Sequence, residues 1–560
     1  MILQKNRDVF LAEANASKEV LEQNAETVLR GKSSSKIYWK ISFVVLALIS
    51  AILLITMDVA PYLYSDEFMI VDLGRVILHP STNWSIAWLT NLDKPVFLWS
   101  YIGPVLQELN YEMIGQYGPR IFAILGGIAA EITVVAWLLS RGTQTKAAFI
   151  LGFIFLLDPI FVQAFTMGRV DAWAIAFCIA SCWLLRKDSN FLSNRILNRH
   201  IFLSGSFAVV AFFVWPSALF LYPLILSELI ILHKTLQGNQ NAKRRSFKPF
   251  FTFFFGGLIA VILLLIPIIP HLFFQIQNII EGFKTNVRSG PSNESKSVAT
   301  YALNQFIEIF RVLKFSPIII LLALISFIVS AKRQIALLIA LATSIFIMIL
   351  TVVYIHRVLY LLPYFMAFAA NLFQVKRDRN ISSILEKVKK TGLGTAVAWA
   401  VFFSLLIRTT LALNKPEERN RQLVYDAARE LIGEGHYKVL IIPYEFYYPG
   451  RLLGWEMYKP YLAQNDPLTA PILKQVLPHV DFVITHHLSE MTGDFVQQLN
   501  ASGFTDKGIY EVYDKPLEFS EQYHGITTNN IRVRNLYSIF RKPYGPYKLF
   551  VRRSVHAKNN

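Results

Sequence analysis

Long apolar blocks separated by short basic connections run from about position 37 to 413, and this pattern constrains the chain more than any other feature. A block of about 20 apolar residues crosses a bilayer as a helix, because a helix pairs its own backbone groups where no water can do so. Such blocks stand at 37–60, 118–140, 146–166, 171–186, 201–215, 217–233, 249–270, 315–331, 334–353, 357–374 and 393–413, which predicts eleven crossings. Pro216 divides the stretch 201–233, too long for one crossing and short for two, so either two passes or a re-entrant hairpin fits it. Hydrophobic residues make up 54% of 560 and charged residues only 17%, the composition of a polytopic α-helical membrane protein.

The net charge of +17 does not point to nucleic acid, because Lys and Arg sit between apolar blocks and form no single soluble patch. They orient the chain instead. Placing the basic connections at Arg141 and Lys146, 186–199, 234–248, Lys332 and Arg333, and 376–390 in the cytoplasm produces no conflict. The expected protein is a multi-pass protein of the inner or plasma membrane, N-terminus cytoplasmic and C-terminus extracytoplasmic. The outer face then receives the loop 61–117, the turn 167–170, the loop 271–314, the turn 354–356 and everything after 414.

Three regions follow: a cytoplasmic segment 1–36, a transmembrane domain 37–413, and an extracytoplasmic α/β domain 414–560. The last is expected to hold helices at 421–433, 468–478 and 489–503 and strands at 438–443, 481–485 and 509–513, an alternation that suggests a short parallel sheet. It has no Gly-rich phosphate loop. Its basic, aromatic final stretch of about 45 residues would suit a place against anionic headgroups. The first apolar block begins only near Ile37, which favours a retained signal anchor over a cleaved signal. Cys178 and Cys182 are the only cysteines and share one helix face. None remains to cross-link an outer segment, which favours a bacterial envelope.

Chemistry is expected where ionisable groups meet the outer surface. Asp66 and Glu67 follow the first block, and adjacent carboxylates beside hydrocarbon are costly unless something uses them. Lys94 precedes an apolar stretch, 96–109, that reads as a helix lying in the interface; there its ammonium can meet a phosphate. Arg169 and Asp171 stand at a tight turn between two blocks, either pairing with each other or holding an anionic headgroup or a cation. His356, Arg357 and Tyr360 open a later block, with Arg357 and Tyr360 on one helix face.

The order Tyr64-Ser65-Asp66-Glu67, Asp93-Lys94-Pro95, Gly118-Pro119-Arg120, Arg169-x-Asp171 and His356-Arg357-x-x-Tyr360-Leu361-Leu362-Pro363 resembles the GT-C fold membrane glycosyltransferases. The likeness is to the branch of protein O-mannosyltransferases and lipid A aminoarabinose transferases. Members of that branch often carry two prolines after the lysine, whereas Val96 follows Pro95 here. The resemblance implies a polyprenyl-phosphate sugar donor, an outer-facing site, and inversion at the anomeric carbon; the acceptor could be a glycolipid, a glycan or a protein, and the sugar a hexose or a pentose.

The residue types independently suit that chemistry. An acceptor hydroxyl must lose its proton as it attacks, and Asp66 is the first candidate base, Glu67 the second. A lipid phosphate leaves as a stable anion and needs cations, which Lys94, Arg169 and Arg357 supply. Asp66, Glu67, Asp171 and His356 could also hold a divalent cation, although no spacing diagnostic of zinc occurs and metal-independent chemistry is favoured. The alternative is a transporter or lipid-linked sugar flippase. Transporters commonly carry duplicated halves with ionisable groups near the midplane, and this chain shows no internal repeat. The pair His486-His487 at a strand end reads as structural.

Overall fold

The computed structural model describes residues 37–57, 65–79, 81, 84, 86, 100–187, 194–238, 247–271, 298–330, 334–350, 355–374, 383–414, 416–458, 476–486, 493–514 and 542–553. Lys94, with the rest of its motif, lies outside the described residues, as do most of the loop 271–314 and the segment 1–36.

The first part is a helical bundle. Helix α1 (Ile37–Ile55) is followed by α2 (Ser65–Leu78), α3 (Ile102–Ile114), α4 (Gly118–Ser140), α5 (Thr145–Leu156), α6 (Pro159–Thr166) and α7 (Asp171–Arg186). Then come α8 (Asn194–Val214), α9 (Tyr222–Gly238), α10 (Lys248–Leu265), α11 (Val298–Leu313), α12 (Pro317–Ser330) and α13 (Ile335–Leu350). The bundle closes with α14 (Leu362–Ala370), α15 (Ser383–Val401) and α16 (Ile407–Asn414).

Among the described residues, six helices are long and apolar enough to cross a membrane, or up to eight if the bent pairs α5 with α6 and α11 with α12 each count as one. The eleven expected crossings are not reproduced by this measure, for visible reasons. Asp158-Pro159 breaks one block, with the Asp158 side chain capping α6 by accepting from the Ile160 amide at 3.0 Å. Pro216 ends α8 after Val214, and a 3-10 turn Pro216–Leu221 leads into α9, which settles the stretch 201–233 as two helices.

Glycines set how closely the helices pack. A Cβ on Gly205 would lie 1.9 Å from the Phe253 carbonyl oxygen, and one on Gly256 would lie 2.1 Å from that of Phe202, so α8 and α10 touch backbone to backbone. Likewise a Cβ on Gly74 would lie 2.0 Å from the Pro104 carbonyl oxygen. That contact fixes α2 against α3. Cys178 and Cys182 are both fully buried in α7, packed as small apolar residues.

The C-terminal part is a small sheet domain. Helix α17 (Gln422–Leu431), strand β1 (Lys438–Ile441), the short helix α18 (Tyr447–Leu452), β2 (Glu456–Tyr458), β3 (Phe482–His486), α19 (Gly493–Ala501), β4 (Phe504–Tyr510) and β5 (Tyr547–Arg552) follow in order. The five strands lie in the order β2-β1-β3-β5-β4. β1 pairs parallel with β2 and β3, whereas β5 pairs antiparallel with β3 and β4.

The sheet is therefore mixed, where a parallel one was expected. The difference comes from β5: the stretch Tyr547–Arg552 carries the buried apolar run Leu549-Phe550-Val551 and sits inside the sheet, so this part of the basic tail is core and not a headgroup-binding surface. The strand expected at 509–513 runs earlier, from Phe504 to Tyr510. The helix expected at 468–478 falls mostly outside the described residues.

The core of this domain does not stop at its own sequence. Phe68 and Val71 of α2, with Ile86, are buried in one cluster with Val424 and Ala428 of α17, Val439 and Ile441 of β1, and Tyr447 and Tyr448 of α18. Helix α2 is thus clasped between the bundle and the sheet domain.

Candidate active site

Two helices begin with an acid. Asp66 stands in the first turn of α2 and Asp171 in the first turn of α7, where the positive end of a helix dipole favours a carboxylate. The turn between α6 and α7 places Arg169 between them. Its Nε donates to Asp171 Oδ2 at 2.7 Å, and its Nη1 donates to Asp66 Oδ2. Tyr360, in the 3-10 turn Leu359–Leu361, donates to the second Asp171 oxygen at 2.9 Å. His356 Nε2 lies 3.7 Å from Asp66 Oδ2, beyond a direct hydrogen bond and within reach of a small movement. The Trp215 ring centroid lies 5.7 Å from the Arg169 guanidinium carbon.

One guanidinium therefore joins residues brought from four separate parts of the chain. Side-chain exposure separates their roles: Asp66 is 31% exposed, against 9% for Arg169 and 1% for Asp171. Asp66 is the carboxylate that an incoming molecule can reach. Asp171 is held from both sides and orients Arg169. Arg357 follows His356 and is half-buried.

Glu67 faces another way. It is fully buried, and Arg120 at the start of α4 donates to Glu67 Oε2 through Nε at 2.9 Å, with Nη2 2.8 Å away. Arg120 Nη1 also donates to the Met57 carbonyl at 2.6 Å. The turn before Arg169 closes over this pair: Gly168 has φ +71°, and a Cβ there would lie 3.0 Å from Glu67 Cγ. Both the left-handed backbone and the lack of room require glycine at this point.

Three acids on α2 and α3 meet the short helix α18 of the sheet domain. The Tyr448 hydroxyl donates to Glu67 Oε1 at 3.2 Å, the Tyr447 hydroxyl donates to Asp72 Oδ1 at 3.2 Å, and Arg451 donates to both oxygens of Glu108 at 2.6 and 2.8 Å. Asp72 is otherwise matched by Arg75 and by the Ile86 amide. Burial first, then neighbouring Glu67, raise the Tyr448 hydroxyl well above its ordinary pKa of 10.0, so it remains a donor. Burial works against the charge on Arg451, but Tyr447 and Glu108 outweigh it and raise its pKa.

The acids and histidine expected as a cation set do not fit one. Glu67 and Asp171 already have cationic and hydroxyl partners, and His356 Nε2 lies 3.7 Å from Asp66 Oδ2. A different trio among the described residues, His79, Glu108 and Glu112, brings its ligand atoms within 4.8 Å of one another. His79 Nε2 meets Glu112 Oε1 at 2.6 Å there, and Glu108 is committed to Arg451. His486 is buried 3.7 Å from Glu445, away from this site, and His487 lies outside the described residues.

Sequence reasoning found Asp66, Arg169, Asp171, His356 and Tyr360 by their placement at turns, and the structure gathers all five. It missed the role of Arg120 as the partner of Glu67, and it missed Tyr447, Tyr448 and Arg451. The last three meet their acids across more than 300 positions of chain, and no local spacing signals that.

A helical bundle with a C-terminal sheet domain clasped onto α2 has the architecture of the GT-C fold. The likeness rests on solved structures of ArnT from Cupriavidus metallidurans. The apo form matches with a TM-score of 0.54 and 11% identity, over 85% of this chain and 96% of that one. The form bound to undecaprenyl phosphate matches with a TM-score of 0.53 at the same identity and coverage. Arabinofuranosyltransferase AftD from Mycobacteria matches with a TM-score of 0.49 and 12% identity, over 90% of this chain and 41% of that one. The sequence matches no family model and no curated protein.

Proposed function

We propose that this protein is an inverting glycosyltransferase that moves a sugar from a polyprenyl-phosphate donor to an acceptor hydroxyl at the outer face of the membrane. The observation that carries the reading is the half-exposed Asp66 carboxylate held by Arg169 beside His356. A reachable base for the acceptor hydroxyl and cations for the departing phosphate are what direct displacement on a glycosyl phosphate needs. The ArnT fold, found in a structure holding undecaprenyl phosphate, supports the donor class.

In this reading the acceptor oxygen attacks the anomeric carbon from the face opposite the phosphate. The carbon–oxygen bond to phosphate breaks, and its electron pair leaves with the polyprenyl phosphate. The hydroxyl proton passes to Asp66 Oδ. Arg169 and Arg357, with Lys94, meet the charge that grows on the departing phosphate. Asp171 and Tyr360 hold Arg169 in register. Glu67 keeps the start of α2 anchored to Arg120 and has no direct part in the proton transfer.

Replacing Asp66 with Asn keeps the shape and removes the base. Sugar transfer from a polyprenyl-phosphate sugar in proteoliposomes should fall by at least about 100-fold, with the protein still inserted and folded. Transfer at the parent rate would remove Asp66 as the base.

A further inference from the structure

We infer that the C-terminal sheet domain is part of the catalytic apparatus, with Tyr448 as a positioning residue that sets the place of Asp66 through Glu67. This rests on the reading of Asp66 as the proton acceptor. The geometry is compact. One short helix, Tyr447–Leu452, presents three polar groups in succession to three acids of the neighbouring helices: Tyr448 to Glu67, Tyr447 to Asp72 and Arg451 to Glu108. Tyr448 is also stacked on Tyr111 of α3 at 5.2 Å and meets Phe68 edge-on at 4.9 Å. Phe68 lies two residues from Asp66 and is fully buried in the core of the sheet domain.

Asp66 is in the first turn of its helix, so its position is inherited from what grips that helix just beyond it. Arg120 grips Glu67 from the bundle and Tyr448 grips it from the sheet domain. Removing the Tyr448 hydroxyl leaves the ring packing in place and frees one oxygen of Glu67. The Glu67 carboxylate is then held by Arg120 alone, and displacements of about 1 Å at a reacting group can cost about 100-fold in rate.

The test compares full-length protein in nanodiscs with Tyr448→Phe, Glu67→Gln and, as a control elsewhere in the same domain, Tyr510→Phe, whose hydroxyl meets exposed Glu430. Two quantities are read: initial rates with polyprenyl-phosphate sugars, and labelling of Asp66 by a water-soluble carbodiimide at fixed pH, quantified by peptide mass spectrometry. The inference expects Tyr448→Phe to lower kcat about tenfold with the donor KM unchanged and to raise Asp66 labelling severalfold, while Tyr510→Phe changes neither. Glu67→Gln should reproduce the labelling change, and adding Tyr448→Phe to it should change little more. Parent kcat and parent labelling in Tyr448→Phe would overturn the inference. If Tyr448→Phe does not fold, labelling in Glu67→Gln decides: an unchanged level overturns it. Should Asp66→Asn keep full transfer while the labelling still responds to Tyr448→Phe, the transferase mechanism fails and the positional coupling stands.

Discussion

The residue that carries the most structural responsibility here is Arg169, because its planar fork reaches two carboxylates that belong to different helices. A lysine supplies the same charge from a single point and cannot satisfy Asp66 and Asp171 together. Arg169→Lys is therefore expected to reduce sugar transfer by about 10- to 100-fold, chiefly in kcat, since both carboxylates would shift. Initial-rate measurements check this, and a rate within twofold of the parent would show that bridging is unnecessary. This residue was legible in the sequence as a cation at a tight turn, and so was its neighbour Asp171. Which of two outcomes applied, mutual pairing or an outside ligand, was left open by spacing. The structure has the pairing with Asp171 and adds Asp66 to it.

Among elements, α2 decides the geometry of the site. Its apolar residues Phe68 and Val71 are buried in the sheet domain, its Gly74 lies against the α3 backbone, and its first turn offers Asp66 and Glu67 in different directions. A methyl group at position 74 cannot be absorbed by a flexible neighbour, because the atom it meets is the Pro104 carbonyl. Gly74→Ala should cost about 1–3 kcal/mol by forcing α2 and α3 apart, read as a lower melting temperature in detergent, with a parallel loss of transfer. An unchanged melting temperature would mean that the two helices are free to separate. This element's double allegiance is not legible in the sequence, where 61–117 reads as one outer loop with an interfacial helix at 96–109. The helix found there runs from Ile102 to Ile114 and packs on α2. Its partner is another helix, which no window of local hydropathy reveals.

At the scale of the whole molecule, the bundle and the sheet domain share a core around α2, and their boundary is not a linker. Deleting the chain after Asn414 would expose Phe68 and Val71 and strip Glu67, Asp72 and Glu108 of their α18 partners. The truncated bundle is expected to enter the membrane but to lose transfer and to aggregate on extraction, as size-exclusion chromatography in detergent would show; a monodisperse, active bundle would refute the shared core. By itself the sequence determined that the chain is a polytopic helical bundle with a C-terminal α/β segment, and which acids and cations gather at turns. Hydropathy and turn chemistry are local, so they are written within windows of about 20 residues. Only the tertiary structure decided that α18 meets α2, that the last basic strand lies inside the sheet, and that Asp66 is the more exposed acid while Glu67 is consumed by Arg120. Those outcomes depend on contacts between distant segments, whose stability comes from burial and pairing that exist only once the chain has folded.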